Sequence, residues 1–214
     1  GWQSSASYSD TGLQANKCYA YTVTARDNAT TPNITSTSTA STTYTSANTP
    51  GTPTFASVTQ STAVLTHAEN SNPASNPTTN FAVIASSTTD SNWNAKYIDA
   101  SGNPSASAVW LTDAQLDSLT VNGFVANTRY QFRSKARNQD NDETAFGSYS
   151  TTFTTLDTTA PTPNPYFTTT PANSSASQID MVSVTVTDSE SSPVSYYFDS
   201  VAGSCGSNAG TGNT

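Results

Sequence analysis

The segment LQANKCYAYTVTARDN, Leu13 to Asn28, returns later in the chain as FVANTRYQFRSKARNQ, Phe124 to Gln139, with Ala-Asn, Tyr and Ala-Arg shared at a constant offset of 111 positions, from Leu13 to Phe124. A repeat of this length constrains the fold more than any single motif, because each copy must bury the same apolar positions in the same kind of element. Tyr8 falls opposite Leu119 at that offset, and Trp2 lies near the equivalent of Trp110. Downstream, STTYTSANTP (Ser41 to Pro50) matches STTFTTLDTTAP (Ser150 to Pro161) at an offset of 109, so one loop between the two segments differs by two residues.

Short strands read through the middle of the chain: Pro53–Val58, Thr62–Thr66, Asn80–Ala85, Leu116–Val121, Thr128–Arg137 and Ser148–Thr155. They are separated by Pro-, Asn-, Gly- and Asp-rich connections such as ENSNPASNP and NQDNDET. Regularly spaced short strands with turn signals between them predict a β-sandwich over residues 49–157. After the linker DTTAPTPNP, the stretches Ile179–Asp188 and Val194–Ser200 match the early strands of that middle domain. The first 48 residues carry only its later strands. Residues 158–214 therefore read as the N-terminal half of a sandwich, and residues 1–48 as the C-terminal half of one, completed by the next repeat on the same polypeptide or by a neighbouring subunit. A half of this size buries too little apolar surface to fold well alone.

Composition supports strands. Apolar residues make up 34% and charged residues only 10%, so Ser, Thr and Asn must cover much of the surface, and strong helix formers are scarce. A net charge of −8 opposes binding to nucleic acid or anionic lipid, which needs clustered Lys and Arg. No apolar run approaches the ~20 residues that a membrane-spanning helix requires.

These residues resemble the fibronectin type III family. Leu13 and Tyr19, like Phe124 and Tyr130, have the spacing of that family's tyrosine corner, in which a Tyr hydroxyl bonds back to the backbone. The Pro-bearing linkers (Pro50, Pro53; Pro161, Pro163, Pro165) resemble the starts of such domains, where Pro protects an edge strand. The resemblance implies an all-β fold of tandem fibronectin type III-like, immunoglobulin-like sandwiches, one complete and one split across the chain ends. Two features depart from the pattern. The Trp often present on the second strand is missing, with Leu65 and Val184 or Val186 near its place, and no Arg-Gly-Asp tripeptide occurs. The stretches GWQSS…YSDTGL and VWLTD…ARNQDNDETAFG are similar to domains of long secreted bacterial repeat proteins.

Chemistry is sparse. The single histidine, His67, stands near a strand end with no Cys/His cluster, and reads as a partly exposed loop residue. Asp188 and Glu190 read as a solvated loop rather than a catalytic pair. Asp140, Asp142 and Glu143 are calcium candidates, since several oxygen side chains share one loop, but tight turns favour Asn and Asp for their own reasons. Trp93, Tyr97 and Trp110 could stack on a sugar or simply pack. Arg26 and Arg137 recur at equivalent places, which points to a structural role. Asn28, Asn33 and Asn173 begin glycosylation-type tripeptides.

Cys18 and Cys205 lie 27 residues apart across the junction, counting from Cys205 to Thr214 and on from Gly1 to Cys18. A disulfide there would close a loop worth roughly 3 to 4 kcal/mol; two free thiols are the alternative. The pair would suit an oxidising, extracellular setting. The expectation is a non-enzymatic structural repeat of an extracellular or cell-surface filament, with no cofactor, its partners being copies of itself head-to-tail. The other reading is a spacer, or a carbohydrate- or adhesion-binding module, with glycans as partners.

Overall fold

The computed structural model describes residues 1–198, which form two compact units: Gly1–Leu156, and a second beginning at Asp157. Among the described residues the regular elements are antiparallel strands, apart from one short helix. Within the first unit, β1 (Cys18–Tyr21) and β2 (Ser41–Tyr44) make an antiparallel pair, with Tyr19 opposite Thr43. A sandwich follows. One sheet has the order β3 (Thr54–Ala56), β4 (Thr62–Thr66), β9 (Thr120–Asn122). The facing sheet runs β11 (Phe153–Thr154), β10 (Arg129–Arg137), β5 (Asn80–Ser86), β6 (Tyr97–Ile98), β7 (Pro104–Ser105), with β8 (Leu111–Thr112) also on β5.

The long strand β10 shows why this pairing forms. Its sequence RYQFRSKAR alternates without interruption, burying Tyr130, Phe132, Ser134 and Ala136 while the charged residues face away from the core. Its partner β5 reads as a nearly continuous apolar run, because it is covered on both faces: Phe81, Val83 and Ala85 join the core, and Ala82 is buried on the opposite side. Between the sheets Phe55, Trp93, Phe124, Tyr130, Phe132 and Phe153 form one aromatic cluster, with ring centroids 4.4 Å apart for Phe124 and Tyr130 and 5.4 Å for Trp93 and Phe124. The missing second-strand Trp is accounted for here. Leu65 fills that place on β4, and Trp93, from the loop after β5, enters the core and donates its indole N–H to the Asn122 carbonyl at 3.0 Å.

Several strand boundaries differ from the sequence expectation. The segment Leu116–Val121 splits: Thr112 and Gln115 form a reciprocal capping box that starts a one-turn helix, α1 (Asp113–Leu116), and Ser118 at φ 62° breaks the chain before β9. β3 stops at Ala56 because Ser57 takes a positive φ of 50°. Over Ser148–Thr155 only Phe153–Thr154 is regular strand; the rest follows β10 irregularly through the Ser150 N–H bond to the Phe132 carbonyl. Strands β6, β7 and β8 are too short for alternation to show.

In the second unit, β12 (Phe167–Ser175) and β13 (Gln178–Ser183) form an irregular hairpin. The predicted strand Ile179–Asp188 is regular only to Ser183. Val194–Phe198 is not strand, contrary to expectation, and Asp199 and Ser200 fall outside the described residues.

Candidate assembly interface

Two corners repeat in three dimensions. After β9 the chain turns through Gly123 (φ 76°) and Asn127 (φ 47°) into β10; in the first segment Gly12 (φ 75°) and Asn16 (φ 46°) make the same turn into β1. Gly and Asn tolerate this left-handed backbone better than other residues. At both corners a tyrosine hydroxyl accepts a backbone N–H: Tyr130 from Val125 at 2.8 Å, Tyr19 from Gln14 at 3.1 Å. Phe124 is buried beside Tyr130, and Leu13 is half-buried. The Tyr130 hydroxyl also donates to Asp90 Oδ2 at 2.6 Å, and burial foremost, with that bond, raises its pKa above the ordinary tyrosine value. A three-stranded sheet packed on a sheet centred on β5 and β10, with this corner leading into β10, decides the architecture. The fold is fibronectin type III-like.

Solved structures that align with the chain include a computationally redesigned β-sandwich protein (25% identity, covering 52% of this chain and 98% of that one, TM-score 0.36). A segment of two fibronectin type III domains from chicken tenascin aligns at 13% identity over 64% of this chain and 65% of that one, TM-score 0.40. Domains d3–d4 of the rat CD45 extracellular region align at 14% identity over 72% of each chain, TM-score 0.36. No protein-family model and no curated protein matches the chain.

The repeat shows what the first segment lacks. Ser134 on β10 is fully buried, whereas its equivalent Val23 is 70% exposed. Leu119 packs against the sandwich core, whereas its equivalent Tyr8 is 70% exposed. Ala136 is buried and its counterpart Ala25 is exposed; Phe132 is buried and its counterpart Tyr21 only half so. The same positions that form a core in the fibronectin type III-like sandwich are left open on residues 1–48. The second unit is open in its turn, with Ile179 and Val182 exposed and a groove of about 530 Å³ lined by Pro161, Pro165, Phe167, Val186, Tyr196 and Phe198.

Residues 1–48 meet the sandwich through a polar joint. Asn16 is fully buried there: its Nδ2 donates to Thr79 Oγ1 at 2.9 Å and its Oδ1 accepts from the Gln139 backbone at 3.1 Å. Asp140 accepts from the Tyr44 backbone at 2.9 Å, and Asn48 and Asn72 exchange two bonds of 2.8 Å.

That joint consumes the first calcium candidate. The other two are spent elsewhere: Asp142 bonds Asn138, and Glu143 pairs with Lys135 Nζ at 2.5 Å. Among the described residues no group of three or more metal-ligating side chains gathers. His67 is not a partly exposed loop residue. Its side chain is fully buried, with Nδ1 2.7 Å from Asp113 Oδ1 and its ring on Phe81, and burial outweighs the carboxylate to hold its pKa below the usual value. Of the sugar-stacking candidates, Trp93 is in the core, while Tyr97 and Trp110 stay half-buried on the outer sheet face. Asp188 accepts from the backbone of Glu190 and Ser191, forming a turn. Arg26 lies over the Trp2 ring and Arg137 over Trp110, each at 4.5 Å, so the recurring arginines carry a recurring stack. Asn28, Asn33 and Asn173 are all exposed, although Asn33 Nδ2 already donates to Asp27. Cys18 is exposed on β1; Cys205 lies outside the described residues, and with it the expected disulfide.

Proposed function

We propose that the chain is a structural repeat unit of an extracellular or cell-surface filament, built head-to-tail from fibronectin type III-like domains. Residues 49–157 are the complete domain. Residues 158–214 of one copy and 1–48 of the next make the split one. The observation that carries this reading is the exposure of Val23, Tyr8 and Ala25 at positions whose repeat equivalents Ser134, Leu119 and Ala136 lie in or against the core. Burying a large apolar side chain stabilises by about 1.5–3 kcal/mol, so closing two such faces supplies a driving force for joining copies. Completion by a neighbour's strands is a form of strand complementation.

Cys18 and Cys205 would lock the junction in an oxidising setting, and glycans on Asn28, Asn33 or Asn173 would decorate it. The test is sedimentation and electron microscopy of the chain against Val23→Asp. Polymers that grow with protein concentration and are lost in Val23→Asp support the proposal. A chain that stays monomeric at all concentrations, with its stability unchanged by Val23→Asp, overturns it.

A further inference from the structure

The outer face of β10 carries a concentration of positive charge. The chain has seven Lys and Arg, and four of them, Arg129, Arg133, Lys135 and Arg137, are on this one strand. At the equivalent places in the first segment stand Cys18, Thr22, Thr24 and Arg26. The turn and the first strand residues, Cys18–Tyr21, form there with Cys18 at the place of Arg129, while Thr22 and Thr24 lie beyond the end of β1. Only the Arg137 position, with its stacked Trp, recurs.

On β10 the cations interleave with aromatic rings. The Arg133 guanidinium lies 4.5 Å from the ring centres of both Phe146 and Tyr149, and Lys135 Nζ sits 5.2 Å from Phe146 and 5.4 Å from Trp110. Arg137 closes the row, 4.5 Å from the Trp110 ring centre. Each ring pins a cation by its quadrupole, fixing side chains that would otherwise lose rotamer freedom on docking. The row spans about 14 Å from Arg133 to Arg137 at the rise of an antiparallel strand. One acid, Glu143, offsets it through Lys135.

We infer that this row is a lateral contact surface for an acidic face of a second copy of the chain. Charge complementarity argues for that occupant: the chain as a whole carries −8 with fifteen Asp and Glu, and this strand is where its positive charge gathers. Composition argues for a protein partner, since Arg, Trp, Tyr and Phe are the residues enriched at protein interfaces and their hot spots. The inference is independent of end-to-end joining, which uses apolar faces.

The experiment measures self-association in the Val23→Asp background, where end-to-end joining is blocked, by sedimentation at about 10 mM and about 500 mM salt. The screening length is then roughly 30 Å and under about 10 Å respectively. Association that weakens with salt, and falls at least about tenfold in Arg133→Gln/Lys135→Gln but not in Lys17→Gln/Lys96→Gln, is the expected result. The two double variants change net charge equally, so equal effects would reduce the row to bulk charge and overturn the inference. No salt-sensitive association overturns it too. So would capture of polygalacturonate by the row without self-association, which assigns the surface to an acidic polysaccharide. Circular dichroism confirms that each variant is folded. If end-to-end joining alone fails, native-sequence polymers are absent while salt-sensitive association persists.

Discussion

Replacing Tyr130 by Phe removes one oxygen atom and keeps the ring in the aromatic cluster. That oxygen accepts from the Val125 N–H at 2.8 Å and donates to the buried Asp90 carboxylate at 2.6 Å. A hydrogen bond to a charged group contributes about 1.5–3 kcal/mol and a neutral one about 0.5–1.5. The substitution should therefore destabilise the sandwich by roughly 2–4 kcal/mol. For a unit of this size that lowers Tm by roughly 5–15 °C. Tyr19→Phe supplies the internal control: among the described residues its hydroxyl accepts from the Gln14 N–H, at 3.1 Å in an exposed setting, and its loss should cost under about 1 kcal/mol. Thermal unfolding followed by near-ultraviolet circular dichroism reads both. A Tyr130→Phe effect under about 1 kcal/mol, or equal to that of Tyr19→Phe, would refute the claim that burial and the Asp90 bond separate the two corners.

Because its folded pKa is raised above the ordinary value of 10.0, Tyr130 contributes stability that is present below pH 10 and lost as pH rises beyond it. Urea titrations across pH 9–11 should show that loss in the native sequence and a shallower one in Tyr130→Phe. His67 has the opposite sign: its pKa is held below 6.5, so its contribution is present above that pH and lost as pH falls through the folded value, and His67→Gln should flatten the slope between about pH 7 and 4. At Gly102, φ is 80° and an added Cβ would lie 1.9 Å from the Thr120 carbonyl oxygen, so Gly102→Ala should cost more than about 2 kcal/mol in the same assay. Under oxidising conditions, non-reducing electrophoresis should show ladders of linked copies that Cys18→Ser abolishes, whereas compact monomers alone would place the bridge within one chain.

Much of the sandwich was legible because its central strands obey simple periods. β4, β5 and β10 fall to within a residue of where the sequence placed short strands between turn signals. The corner was legible through the resemblance of its Leu13/Tyr19 and Phe124/Tyr130 spacing to that of fibronectin type III domains. What was hidden is long-range: Trp93 gives no local sign that it leaves its loop for the core, and His67 owes its burial to Asp113 and Phe81, residues of other elements. Capping chemistry at Thr112–Gln115 was written in the sequence, yet the apolar run from Leu116 obscured it. The open face of residues 1–48 became visible only by setting each residue beside its repeat equivalent. Of the row on β10 only Arg137 stood out in the sequence, through its repeat partner Arg26; the rings that interleave with it come from separate loops.

The joint around Asn16 is made of amides, hydroxyls and carboxylates, with no large apolar side chain at its centre. Opening it uncovers groups that water satisfies at once, so it can bend and reseat without presenting a sticky surface to neighbours. Its angle rests on a few directional bonds rather than on packed volume. In the array proposed above the error at each such joint would accumulate, so Asn16→Ala would shorten its persistence length.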